Sequence, residues 1–519
     1  MFTLTQSLRR AVQVKPHGPA TSFGKRRRTW SDCGERVAKV AGGLAGLGLV
    51  RGDRVAILAL NSDRYFELMY AIPWAGGVVV PLNTRLASPE IEYILDDSGA
   101  VVLFIDAAMA HHLAALDGKM PKVREVVWLD DTPAPPHALR YEDLAGYEAI
   151  DDVGARDEEI GGLFYTGGTT GRSKGVMLTH TNLVVNAMNA VAGIGFNGDT
   201  VYIHSGPMFH LADGASTFGV TMAAGRHTFI PRFEPVEVLE NIQAEKVTNA
   251  TLVPTMVNMV VNHPRFAEFD ISSLKLVLYG ASPMPEGVIR KAMAVMPKVK
   301  FMHAYGMTEA APIVTLLDPR YTTLDGPFAG RHKSCGQVAP AVEVKVVDEK
   351  RHEVPRGTPG ELAIRGANIM KGYWNKPAET EAVLHDGWYY SSDGAYMDDE
   401  GFVYIVDRLK DMIISGGENV YSAEVENAIS LIPGVAEVAV IGVPDERWGE
   451  RVHAIIVPRP GSNLVAEEVM EHCRQQIAGY KCPRSVDFRH EPMPLSGAGK
   501  ILKRELREPY WKGYSKAVN

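Results

Sequence analysis

Residues 165–176 read Tyr165-Thr166-Gly167-Gly168-Thr169-Thr170-Gly171-Arg172-Ser173-Lys174-Gly175-Val176, and an apolar run over residues 161–165 leads into them. The run predicts a strand, which opens into a loop holding four glycines, three threonine hydroxyls and a lysine. Glycines let backbone N–H groups converge on anionic oxygens without obstruction by Cβ, the hydroxyls add donors, and Lys174 adds positive charge. The loop therefore suits phosphates. It is not a Walker A loop, because Gly175 stands after the lysine where that loop needs a hydroxyl for magnesium. Taken alone, such a turn is more often a plain connection, so the rest of the chain has to decide.

At 519 residues the chain exceeds the size at which one hydrophobic core keeps growing, which predicts two or more domains. Its 46% hydrophobic and 22% charged residues are the mix of a globular protein with ample core material. The net charge of -8 argues against nucleic acid as a partner. The one basic tract, residues 25–28, reads as a solvated loop. Cys33, Cys335, Cys473 and Cys482 lack metal-ligand spacing and read as reduced thiols. The first residues show no secretory pattern, and apolar runs such as 78–82 and 435–443 are too short to span a bilayer. A cytoplasmic protein without an integral membrane segment is expected.

From residue 53 to 106, β-rich runs (55–60, 78–81, 101–105) alternate with helical stretches (65–74, 89–96), and the rhythm recurs at 228–230, 249–253, 274–279 and 298–303. After about residue 336 come closely spaced strands (342–347, 360–365, 401–406). From 409 onward the pattern is a small α+β unit: a hairpin at 412–415, a helix from 423, strands 436–442 and 453–458, and a helix at 466–477. The expected fold class is α/β: a large N-terminal layered α/β domain with a β-rich lobe, residues 1–408, plus a small mobile α+β C-terminal domain, residues 409–519.

Further segments come after the loop in order: PMFHLADG (207–214), LYGASPMP (278–285), HAYGMTEAAP (303–312), a long stretch at 388–426 that includes YYSSDGAYMDDEGF and VDRLKDMIISGGENVYS, and PLSGAGKILKREL (494–506). Together with the loop, this set resembles the adenylate-forming superfamily, in its acyl-CoA synthetase (acid:CoA ligase) branch, along nearly the whole chain. Gly167 and Ser173 depart from the family's usual serine and proline, and both keep the loop flexible.

The resemblance implies an ATP-dependent acid:CoA ligase: carboxylate and ATP give acyl-AMP and pyrophosphate, and the acyl group then passes to coenzyme A. Both first reactants are anions, so neutralising charge is the central task. By resemblance Thr166, Gly168, Thr169, Thr170 and Lys174 cradle the phosphates, Thr308 reaches the α-phosphate, and Glu309 with Thr166 holds magnesium. Tyr305 and Gly306 face adenine, with Gly280, Ala281 and Ser282 on the ring's other side. Asp393 and Arg408 hold the ribose. Lys500 is the catalytic lysine of adenylation. Lys410 is the hinge between two lid poses, and Gly416 and Gly417 line the pantetheine channel. Trp448 packs on the adenine of coenzyme A, and His210 gates the acyl pocket. Each has a plainer reading: Tyr305 and Trp448 as core aromatics, Asp393 as a turn cap, Arg408 as a surface ion pair, Lys500 as a solvated lysine, His210 as a satisfied core histidine.

The implied acyl pocket (210–218, 254–261, 279–283, 304–314) holds no lysine or arginine, which disfavours a dicarboxylic acid. Amino-acid adenylating relatives place an aspartate where His210 stands; here the nearest, Asp213, lies three residues on. Fatty acids of medium or long chain and aromatic or phenylpropenoic acids remain. No carrier domain comes after residue 506, so the chain is expected to act alone, and a homodimer is compatible with the sequence. The alternatives are an adenylating enzyme that loads a separate carrier protein, and a non-catalytic nucleotide-binding regulator.

Overall fold

In this computed structural model, residues 2–155, 158–166, 173–282, 284–408, 411–415, 418–496 and 499–512 are described; of Asp407, Arg408 and Asn419 only the backbone is. Two large sheets are built from residues 19–373. In the nine-stranded sheet, six neighbours are parallel throughout: Lys300–Gly306, Leu276–Gly280, Asn249–Thr251, Val201–His204, Arg226–Phe229 and Pro19–Phe23. In the eight-stranded sheet, Ile160–Thr166, Val78–Pro81, Arg54–Leu58, Ala100–Ile105, Glu125–Trp128 and Leu139–Arg140 are parallel.

Side chains alternate across a strand, and here successive residues feed different cores. Val55 and Ile57 enter the principal core while Ala56 and Leu58 enter an outer one, and Val102 and Phe104 part from Leu103 and Ile105 in the same way. Buried on both faces, these strands read as continuous apolar runs. The principal core lies between the two sheets and includes the helices Trp30–Gly46, Asp63–Trp74, His180–Ile194 and Leu211–Met222. The first begins at a capping box of Thr29 and Asp32, and the third at Thr179 with Asn182.

The β-rich lobe is an antiparallel sheet of Val342–Val347, Gly360–Gly366, Trp388–Met397, Leu384–His385 and Val403–Arg408. The last sheet joins Glu418–Val420, Ile413–Ser415, Gly449–Pro458, Val435–Asp445 and Ser485–Phe488. Two apolar clusters beneath it draw all their buried residues from Ile413 onward. All four cysteines are buried and unpaired. Among the described residues no helix is long and apolar enough to cross a membrane.

The α/β fold class with its larger and smaller parts is the one expected. Residues 25–28 are a correction. Arg26–Thr29 is a strand, not a solvated loop, and its arginines turn onto buried acids. Arg26 and Arg28 each pair with Asp63 at 2.8 Å, and Arg28 and Arg36 each pair with Glu67 at 2.9 Å. Asp63 and Glu67 are inaccessible, so the arginines supply the counter-charge that burial demands. Four positive charges in a row look solvated until distant carboxylates are brought beside them.

Candidate active site

The strand Ile160–Thr166 returns antiparallel as Lys174–Thr179, with Thr166 and Lys174 as register partners. Both ends of the glycine loop therefore meet at one sheet edge, where the Thr166 hydroxyl points to the Lys174 carbonyl at 3.5 Å. Gly168, Thr169 and Thr170 lie outside the described residues, as do Lys410, Gly416 and Gly417. The short strand Gly372–Tyr373 pairs with Lys174–Thr179 and puts the Tyr373 ring 5.0 Å from the Lys174 ammonium. Tyr373 also donates its hydroxyl to Glu309 Oε1 at 2.9 Å. Tyr373 thereby joins Lys174 to Glu309, and Thr166 meets Lys174 across the hairpin. Burial, and then the Glu309 charge, push the Tyr373 hydroxyl well above its ordinary range, so it stays a donor.

Glu309 sits in the short turn Thr308–Ala310, and the Met370 N–H donates to its carbonyl at 2.8 Å. Among the described residues no group of three or more His, Cys, Asp or Glu side chains could hold a metal. A single carboxylate linked through Tyr373 to Lys174 fits magnesium, which keeps several waters and is bound through one or two carboxylates plus substrate phosphates.

Tyr305 lies near the end of Lys300–Gly306, and Gly280 pairs with Ala304 on that strand. A Cβ at Gly280 would stand 2.1 Å from the Ala304 carbonyl oxygen, so only glycine permits this approach. Ala281 comes next at φ +66 and turns the chain, bringing the 280–282 segment beside the Tyr305 end of the neighbouring strand. The Tyr305 hydroxyl donates to Asp393 Oδ2 at 2.6 Å. Burial and Asp393 both raise the phenol's pKa, which keeps it protonated. Arg408 is the register partner of Asp393 across the lobe hairpin. Tyr305, expected as an aromatic platform, thus also orients the expected ribose ligand.

His210 caps the helix Leu211–Met222: its Nδ1 accepts the Ala212 N–H at 3.1 Å. In the neutral ring the proton must then sit on Nε2. Burial, aided by the Lys500 charge, pushes the imidazole down to about 3, so it is neutral at physiological pH. Lys500 belongs to a turn closed by the Leu495–Ile501 bridge and by Ser496, whose hydroxyl accepts the Lys500 N–H at 3.1 Å. This turn rests on the large part of the chain. Arg85 donates to the Ser496 carbonyl at 2.9 Å, and a Cβ on Gly499 would come 3.1 Å from Val253. Trp448 stands just beyond the long strand Val435–Asp445 and is flanked by Arg484 and Arg447, whose guanidinium carbons stand 4.2 and 4.8 Å from its ring centroid.

Asp213 is unavailable to a substrate amine: it is buried, and accepts from His204 Nδ1 at 2.8 Å and from Tyr202 at 2.9 Å.

Residues 8–374 match the AMP-binding enzyme family, and residues 424–500 match the AMP-binding enzyme C-terminal domain. This chain belongs to the AMP-binding enzyme family. A feruloyl-CoA synthase of Amycolatopsis sp is 40% identical over 96% of this chain and 98% of that protein. The long-chain-fatty-acid–CoA ligase FadD13 of Mycobacterium tuberculosis is 36% identical over 93% of each. Among solved structures, ATP-bound MatB from Rhodopseudomonas palustris superposes with a TM-score of 0.87 at 30% identity, covering 99% of this chain and 100% of that one.

Sequence reasoning missed three neighbours of the candidate site. Tyr373 bridges Lys174 and Glu309, and Arg85 and Val253 receive the Lys500 turn. The one sequence cue for Tyr373 is its place after Lys371-Gly372 in a polar stretch, since a two-residue strand has no periodicity to detect.

Proposed function

We propose that this AMP-binding enzyme is an ATP-dependent acid:CoA ligase for monocarboxylic acids, either aromatic (phenylpropenoic) or fatty. The observation that carries this reading is the seating of the Lys500 turn against Arg85 and Val253, while Thr166, Lys174 and Glu309 gather at the end of the glycine loop. Membership in the family and the relatives named above support it from outside.

In the first half-reaction a carboxylate oxygen attacks the α-phosphorus of ATP and pyrophosphate leaves. Thr166, Thr169, Thr170 and Lys174 would hold the phosphates, and Thr308 would donate to the α-phosphate. Magnesium, held by Glu309 and Thr166, would supply fixed positive charge on the phosphate oxygens. Tyr305 and the 280–282 turn would enclose adenine, with Asp393 and Arg408 on the ribose. The Lys500 ammonium would offset the charge that builds between carboxylate and α-phosphate, where a preorganised cation is most effective. His210, neutral and protonated at Nε2, would donate to the acid without adding a second charge beside Lys500. In the second half-reaction the sulfur of coenzyme A attacks the acyl carbon and AMP leaves.

One lid pose cannot hold Lys500 over the site and also admit a thiol, so we take Arg408–Lys410 as the boundary and hinge. Gly416 and Gly417 would then line the path of the pantetheine arm. Trp448, between two guanidinium groups, would receive the adenine end of coenzyme A. The reading places the reaction in the cytoplasm.

A panel of aromatic and fatty acids, scored by pyrophosphate release with and without coenzyme A, tests the proposal. Acid-dependent release together with an acyl-CoA product is expected. Release with no thioester, or a thioester formed on a carrier protein instead, would replace it by the carrier-loading alternative; no release with any acid would favour a regulator.

A further inference from the structure

Behind His210, between the helix Leu211–Met222 and the nine-stranded sheet, four polar side chains form a chain without access to water. Asp213 and Thr221 lie in the first and last turns of the helix, His204 ends Val201–His204, and His227 lies in Arg226–Phe229. Thr221 Oγ1 is 3.0 Å from His227 Nε2, His227 Nδ1 is 3.0 Å from His204 Nε2, and His204 Nδ1 is 2.8 Å from Asp213 Oδ2.

For rings that each carry a single N–H, these contacts have one consistent direction. An ionised carboxylate only accepts, so His204 donates from Nδ1. Its Nε2 then accepts from His227 Nδ1, and His227 Nε2 accepts the Thr221 hydroxyl. Every nitrogen then has a partner, and burial holds His227 far below its ordinary range. The Tyr202 hydroxyl donates to the second oxygen of Asp213 at 2.9 Å. The remaining negative charge stands in the first turn of a helix, where it is favoured.

The chain ties both ends of one helix to two strands, and so fixes the helix in rotation and in translation. Apolar contacts alone resist such slippage weakly. The turn that leads to His210 is held separately. Asn61 donates to the Gly206 carbonyl at 2.7 Å and accepts the Met208 N–H at 2.8 Å. The helix packs closely beneath this turn, since a Cβ on Gly214 would stand 2.3 Å from the Met208 carbonyl oxygen.

We propose that Thr221, His227, His204 and Asp213 are positioning residues that aim His210 Nε2 at the carboxylic acid. This rests on the reading of His210 as an acyl-site group in a ligase. Thr221→Val keeps the shape of the side chain but leaves His227 Nε2 without a donor. It should raise KM for the acid roughly tenfold, with KM for ATP unchanged, and Thr221→Ser should restore the acid KM to within about twofold. An unchanged acid KM, acid and ATP constants that rise together, or failure of serine to rescue would each overturn the proposal. Should Thr221→Val not fold, imidazole nitrogen NMR of the unaltered protein decides: the His227 ring should be the neutral Nδ1–H tautomer from about pH 6 to 8, and a charged or Nε2–H His227 overturns the chain. Pyrophosphate release by the unaltered enzyme is measured first. Its absence with every acid defeats the ligase reading itself, whereas turnover with an indifferent Thr221→Val defeats this proposal alone.

Discussion

In the proposed reaction Lys500 would carry the charge that two anionic reactants require, on a turn whose residues Ser496 and Gly499 lie against Arg85 and Val253. Lys500→Ala should lower adenylation at least about a hundredfold, the scale seen when one preorganised electrostatic group is removed. Thioester formation from supplied acyl-AMP and coenzyme A should survive, and an equal fall in both half-reactions would refute the assigned role. At this scale the sequence was most informative about residue chemistry. Lys500, Glu309 and Asp393 stand in motifs whose roles the family resemblance implies. It was silent on Tyr373, whose two partners, Lys174 and Glu309, are distant in the chain.

Among the elements, the strand end at Gly306 has the least tolerance. A Cβ there would lie 1.7 Å from the Pro312 carbonyl oxygen, which also accepts the Met307 N–H at 3.0 Å. The adjoining turn carries Thr308 and Glu309, so any relief of the clash moves both. Gly306→Ala should cost about 3 kcal/mol of stability and raise KM for ATP; an unchanged denaturation midpoint in urea would contradict the close packing. Strands also show why some elements were legible and others were not. Val78–Pro81 and Val342–Val347 were read with correct bounds, because their residues are apolar or alternate. Arg26–Thr29 and Gly372–Tyr373 were not, because the first is held by ion pairs and the second by pairing to a distant strand.

For the whole molecule, the way parts are buried and joined has two consequences. Lys410→Pro, which would stiffen the proposed hinge, should slow thioester synthesis about tenfold or more while sparing pyrophosphate release; unaltered thioester synthesis would remove the hinge assignment. The second concerns acid. His180 is buried, its Nδ1 accepts the Leu4 N–H at 3.2 Å, and desolvation pushes it down to about 4. Between that value and the ordinary histidine range the unfolded chain binds more protons than the folded one. Stability is therefore full above about pH 6.5 and falls with pH through this window, by up to about 1.4 kcal/mol per pH unit for each such group. His227, also buried with a depressed pKa, adds to the slope. Thermal midpoints should drop from pH 7 to 4.5, and His180→Asn, which keeps an acceptor without a titrating ring, should drop less; parallel curves would exclude His180.

The amino-acid order alone determined the alternation of strands and helices, because apolar periodicity is a property of neighbours along a chain, while the kind of chemistry came from the resemblance of its ordered motifs to a known family. Only the tertiary structure decided that Asp213 faces His204 instead of a substrate, that the arginines at 26 and 28 meet buried acids, and that Tyr373 joins Lys174 to Glu309. Each of those contacts spans strands or helices whose separation is set by sheet pairing and core packing, and such distances are not encoded in any local stretch of sequence.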